Sequence, residues 1–173
     1  LKINLKKVLH FIKLCEEWIG DADIQIAIEN TDGFREYEKK AIKSILKSDC
    51  FVLTWDIGHS KATGEIDVPF ILNNKCKLSH FHIHDGRENP PKDHLALGDG
   101  EIDIVERLNM AKACNARCVL ETKTIEALKK SCKMHGGQVN LAKSSTVSQG
   151  QISDYLCGRR KIQNMTIGTL EKL

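Results

Sequence analysis

The strongest constraint on what this chain can become is an alternation. Stretches with apolar residues at helical spacing are followed by short apolar runs of strand character, and the pair recurs along the chain. Residues 4–19 carry Leu5, Val8, Leu9, Ile12, Cys15, Trp18 and Ile19 on one helical face, and Gly20-Asp21 stops them. "DIQIAIEN" follows as a strand pattern, then a helix over about 35–47 with Tyr37, Ala41, Ile42, Ile45 and Leu46 on one side. "CFVLTWD" reads as the second strand, about 67–74 as a short helix, and "KLSHFHIHD" as the third strand. The polar stretch 85–100, rich in Gly and Pro, is expected to be a loop. A helix over 101–114, the strand "ARCVLET" and a helix over 123–134 complete the series. Strands that alternate with helices pair in parallel through right-handed crossovers. The expected fold class is therefore α/β: four βα units, forming half of an eight-stranded (β/α)8 barrel or part of an open doubly wound sheet.

At 173 residues, with 41% hydrophobic and 28% charged, the composition fits a soluble globular protein with room for one ordinary domain. No apolar run approaches the roughly 20 residues that span a bilayer, so no membrane partner is expected. Leu1–Lys7 is amphipathic and lysine-rich, unlike a secretory leader. The 7 cysteines are scattered, and Cys114 and Cys118 form only a CxxxC pair. Reduced, mostly buried thiols in a cytoplasmic protein are expected. Because the chain begins with Leu1 and ends at Leu173 within a helical pattern, it is expected to be a fragment.

The strand ends carry the chemistry. The first ends in Glu29, and the second in Asp56 with His59 just beyond. The third carries His80, His82, His84 and Asp85, and the fourth ends in Glu121. Buried parallel strands are otherwise apolar, so a carboxylate there needs a reason. A single such acid is usually a cap or a turn residue. Four strand ends in succession point instead to convergence on the C-terminal face of a parallel barrel, where such folds place their active sites. Two Glu, one Asp and one His could hold one divalent cation, with Mn²⁺, Mg²⁺ or Co²⁺ favoured and Zn²⁺ admissible. His80 and His84 are expected to point away from His82 and to serve the strand rather than the site.

"IAIENTDGF", "WDIGHS", "HFHIHDGRENPPKDHLALGDGEIDI" and "CVLETK" together resemble the second half of the xylose isomerase-like TIM barrels, over about residues 4–135. That superfamily includes sugar and sugar-phosphate isomerases and epimerases, and the endonuclease IV group of DNA repair enzymes. The resemblance implies metal ligands Glu29, Asp56, His82 and Glu121. It implies proton transfer at a carbon next to a carbonyl through a metal-stabilised enediolate, with Glu29 and Glu121 as the acid/base pair. His59 would bind substrate oxygen, joined by Arg87 at a hydroxyl or phosphate and by His94. Family members often have Lys where this chain has His84. The repair-nuclease alternative needs an Asp-x-His in the loop. Here the loop reads Lys92-Asp93-His94, so the acid is expected to be out of step. With only four strands, the expected partners include a homo-oligomer mate or a missing N-terminal half.

Charge is uneven: residues 1–122 carry 17 Lys+Arg against 20 Asp+Glu, and residues 123–173 carry 9 against 3. Basic asymmetry of this kind suits a polyanion. Residues 136–173 depart from the βα pattern. The spacing LA-x4-VS-x3-IS-x4-G-x-R resembles a Cro/repressor-like helix-turn-helix, which could borrow the helix at 123–135 as its first. Ser148 suits the N-cap of a helix over Gln149–Leu156 with Ile152 inward, and a further helix is expected to begin at Thr166; the resemblance implies that Gln149–Leu156 is the recognition helix. Gln149 and Gln151 would reach base edges, while Lys143, Arg159, Arg160 and Lys161 would meet phosphates. A packed helical bundle is the bland alternative for this segment. For the whole chain, the second functional expectation is a DNA-binding regulator that senses a sugar without catalysis.

Overall fold

The computed structural model describes residues 4–121, 125–134, 136–143 and 148–160. Helix α1 (Leu5–Ile19) begins where the Asn4 side chain accepts from the amides of Lys6 and Lys7, and ends at Gly20 in the left-handed region. Strand β1 (Ile26–Glu29) leads through a turn to α2 (Glu36–Ile45), then β2 (Phe51–Asp56). Two short helices follow, α3 (Ile57–Ala62) and α4 (Val68–Asn73), then β3 (Leu78–Ile83). Next come β4 (Asp85–Arg87) and β5 (Lys92–Leu95), then α5 (Ile104–Ala113) and β6 (Arg117–Leu120). Helices α6 (Ile125–Met134), α7 (Gln138–Lys143) and α8 (Gln149–Leu156) end the described chain.

β1, β2, β3 and β6 form one parallel sheet in that order. This is the sheet the alternation predicts, and it fits a partial TIM barrel. β2 is buried on both faces. Phe51, Leu53 and Trp55 share one face, where Trp55 and Phe81 meet with ring centroids 5.4 Å apart. Val52, Thr54 and Asp56 line the other, so the period of two puts Asp56 on the face opposite Trp55.

Two features depart from expectation. The stretch 85–100 is not all loop, because β4 and β5 pair antiparallel as a hairpin. Its anchor is the buried Asp85 carboxylate, which accepts from the amides of Gly86, Gly98, Gly100 and Ile102 at 2.8, 2.8, 3.0 and 3.1 Å. A Cβ on Gly100 would collide with that carboxylate, which explains the glycine. Asp85 and the Gly98-Asp99-Gly100 turn are thus one device. The second departure is α3, whose first turn is capped by Asp56 itself through a 2.8 Å bond from the His59 amide. The cysteines are also less uniform than expected. Cys15, Cys118 and Cys132 are buried, Cys50 and Cys114 half-buried, and Cys76 and Cys157 exposed, and all are free thiols.

Helices α6, α7 and α8 contact one another, and Leu128, Leu141, Ile152 and Tyr155 are buried. The Ser148 side chain accepts from the Gln151 amide at 3.2 Å, and the Gln151 side chain returns to the Ser148 amide at 3.0 Å, a capping box. Gly158, at φ 72°, follows the helix end. Lys161 and the helix expected from Thr166 lie outside the described residues.

Candidate metal centre

Four strand ends meet. Glu29 closes β1, Asp56 closes β2, His82 lies near the end of β3, and Glu121 directly follows β6, its amide bonded to the Ile83 carbonyl at 2.9 Å. His82 Nδ1 lies 3.6 Å from Glu29 Oε1, 3.7 Å from Asp56 Oδ2 and 3.5 Å from Glu121 Oε1. That nitrogen is buried and makes no hydrogen bond. Ligand bonds of about 2.1 Å in tetrahedral array put donor atoms about 3.4 Å apart. The observed separations are too long for hydrogen bonding and right for donors that share a cation. Glu29, Asp56 and His82 each offer one donor atom, all within 4.8 Å of one another. One imidazole with three carboxylates fits a divalent cation of intermediate hardness.

His59 stands beside this set. Its Nδ1 is 3.3 Å from Asp56 Oδ2 and 3.5 Å from Glu29 Oε1, buried and without a hydrogen bond. The electrostatics follow from the crowding. The imidazoles of His59 and His82 hold Glu29 down to about 2. Burial works to raise Asp56, but the neighbouring imidazoles of His82 and His84 outweigh it and leave the carboxyl below its ordinary range. Burial would lower His82, yet Asp56 and Glu29, with the charge of Glu121, push it up to about 10. His59 moves up for the same reason, as Glu29 and Asp56 overcome its burial. Glu121 is lowered chiefly by His94.

The hairpin carries the next residues. His94 Nε2 is 3.6 Å from Glu121 Oε2, and its Nδ1 is 2.9 Å from Asp93 Oδ1. Asp93 also lies 3.7 Å from His59 Nε2, so it approaches the histidines although Lys92-Asp93-His94 lacks the Asp-x-His spacing. Arg87 sits on β4 opposite Lys92, with its Nε buried and unbonded, and among the described residues no ion pair of the cluster includes it.

Several residues escaped the sequence reading. His84 was expected to face away; instead Nε2 lies 2.8 Å from Asp56 Oδ1, and both side chains are fully buried. The physical reason is simple: residues 80, 82 and 84 are spaced by two and share one face of an extended chain. His80 is on that face too, but nearer the strand start, beside Gln25 and Arg117. Asn30 is the other omission. Its Oδ1 accepts from the Asp56 amide at 2.7 Å and its Nδ2 donates to the Asp56 carbonyl at 2.9 Å. The same Nδ2 lies 2.7 Å from Asp67 Oδ2, and Ser60 donates to the other Asp67 oxygen at 2.9 Å. This buried network clamps the end of β2. Its only signal in the sequence was the polar Asn directly after Glu29.

Parallel βα units gather carboxylates and imidazoles at the strand ends, in groups whose spacing could hold a metal ion. The chain belongs to the xylose isomerase-like TIM barrel family, whose model matches residues 4–136. Searches of curated proteins and of solved structures find no match.

Proposed function

We propose that the chain is a metal-dependent sugar or sugar-phosphate isomerase or epimerase that holds one divalent cation on Glu29, Asp56, His82 and Glu121. The observation that carries this reading is the buried, unbonded His82 Nδ1 at 3.5–3.7 Å from an oxygen of each carboxylate. When bound, the cation would polarise neighbouring carbonyl and hydroxyl oxygens of a sugar. The lowered Glu29 and Glu121 are ionised at neutral pH, so either can take a proton from the carbon next to a carbonyl. Once protonated, that carboxyl returns the proton to the neighbouring carbon in an isomerisation; in an epimerisation the other carboxyl, in its protonated form, delivers a proton from the opposite face. His59 binds a substrate oxygen, His94 steadies Glu121 from the hairpin, and Arg87 meets a hydroxyl or phosphate.

The test is exchange of the sugar α-proton with D₂O, followed by NMR over a panel of ketoses and ketose phosphates with Mn²⁺. Deuterium incorporation that Glu29→Gln abolishes supports the reading. Equal incorporation by that variant contradicts it. Binding of sugar without exchange would favour the sensor alternative.

A repair-nuclease reading gains from Asp93, which reaches both His59 and His94. It predicts strand cleavage of a duplex at an abasic site, and intact duplex counts against it.

For the C-terminal helices, the proposal is duplex DNA binding through α8. Support comes from the exposed Gln149 and Gln151 and from Arg159 and Arg160, which pair with Asp154 at 2.7 and 3.5 Å. Exposed pairs of this kind are weak and exchange readily for phosphate. Fluorescence anisotropy with labelled duplex at two salt concentrations tests it. Binding that weakens with salt is expected, and no binding at low salt contradicts it.

A further inference from the structure

The structure assigns His84 as a positioning residue that locks the Asp56 carboxylate and docks the β4–β5 hairpin through its two ring nitrogens, in one fixed tautomer. The inference rests on the proposed role of Asp56 as a ligand, and it concerns how that ligand is held.

His84 Nδ1 lies 2.8 Å from the His94 amide nitrogen, which has a proton to donate and nothing to accept with. Nδ1 must therefore present its lone pair. The Asp85 carbonyl, 3.3 Å from the same nitrogen, is an acceptor and cannot satisfy it. In a neutral ring the proton then sits on Nε2, which faces Asp56 at 2.8 Å from Oδ1 and 2.9 Å from Oδ2. Donation to that carboxylate fixes the direction of its lone pairs. Orientation of a ligand by an outer hydrogen bond is a general feature of metal sites.

The rest of the pocket is built around this ring. A Cβ on Gly58 would overlap it, so the glycine of "WDIGHS" clears its place. The ring stacks on that of His94, with centroids 4.1 Å apart and planes 6° from parallel. His94 itself adopts φ 52°, a left-handed backbone that a residue with a side chain takes only when its surroundings hold it there. The bond from its amide to His84 supplies that hold. Engagement of both ring nitrogens also removes His84 as a ligand in its own right, although His59, His84 and His94 form a cluster with metal-ligand spacing.

Glutamine and asparagine separate the two contacts. The terminal amide of Gln reaches the position of Nε2, and that of Asn the position of Nδ1. Three measurements apply: Mn²⁺ affinity by calorimetry, hydrogen exchange at the His94 amide, and the tautomer by NMR of ¹⁵N-histidine protein. The wild-type ring should carry its proton on Nε2. His84→Gln should bind Mn²⁺ within a few-fold of wild type but lose protection at His94. His84→Asn should keep that protection and lose about 10–100-fold in Mn²⁺ affinity, the usual effect of removing an outer partner. His84→Leu should lose both, with circular dichroism confirming that each variant is folded. A merely structural role moves both readouts together in Gln and Asn. That result, or a proton on Nδ1 in the wild type, overturns the proposal. If the wild type binds no Mn²⁺, the function proposed above falls. The tautomer and the exchange pattern then still decide the assignment to His84: Nδ1 protonation or unchanged exchange in His84→Gln overturns it.

Discussion

At the scale of single residues, the site is a set of charges brought together by strand ends. In the metal-free chain, His82 raised to about 10 and Glu29 lowered to about 2 neutralise each other in part. The sign of each contribution to stability follows from linkage. The Glu29 contribution is complete above its ordinary 4.5 and is lost as pH falls toward about 2. The His82 contribution is complete below its ordinary 6.5 and is lost as pH rises toward about 10. Metal-free protein should therefore be most resistant to urea between these ordinary values, weakening on either side. Because a ligating imidazole must be neutral, Mn²⁺ uptake at neutral pH should release protons. Calorimetry in buffers of different ionisation enthalpy reads that release, and no buffer dependence would contradict the charged state of His82. Gly58→Ala should cost about 1–3 kcal/mol through overpacking against His84, visible as a lower Tm. An unchanged Tm would mean that the ring is not held where it lies.

At the scale of elements, legibility varied with length and period. α1 and β2 could be read because a fifteen-residue helix and a six-residue strand repeat their pattern enough to show it. α3 could not, since six residues with a glycine at the second position give no period, and what starts the helix is the Asp56 side chain. The hairpin escaped for a similar reason: β4 and β5 have three and four residues and are mostly polar. Its fold is set by Asp85, a residue fixed by contacts 13 to 17 positions away as well as by its neighbour. The four strand-end residues proposed as ligands were legible as residues, whereas His84 and Asn30 were not, because their partner Asp56 is 28 and 26 positions distant. Asp85→Asn replaces a carboxylate that takes four amide protons by a group that can accept at one oxygen only. A loss of about 3 kcal/mol in urea unfolding is expected. His94 should become less protected with it, and an unaffected hairpin would show that Asp85 is not the anchor.

At the scale of the whole molecule, β1 and β6 each pair on one side only among the described residues. α1 exposes Leu5, Leu9 and Trp18, the last at 85%. Open strand edges and exposed apolar side chains favour association. Sedimentation at rising concentration should therefore show a second copy joining, and a monomer throughout would contradict that expectation. The central claim is narrower and more directly accessible: four strand ends hold one divalent cation. Its test is metal content of the purified chain by mass spectrometry, beside a variant carrying Glu29→Gln and Glu121→Gln. About one metal per chain, lost in a variant that remains folded, is the predicted result. No metal in the wild type, or equal metal in both, would contradict it.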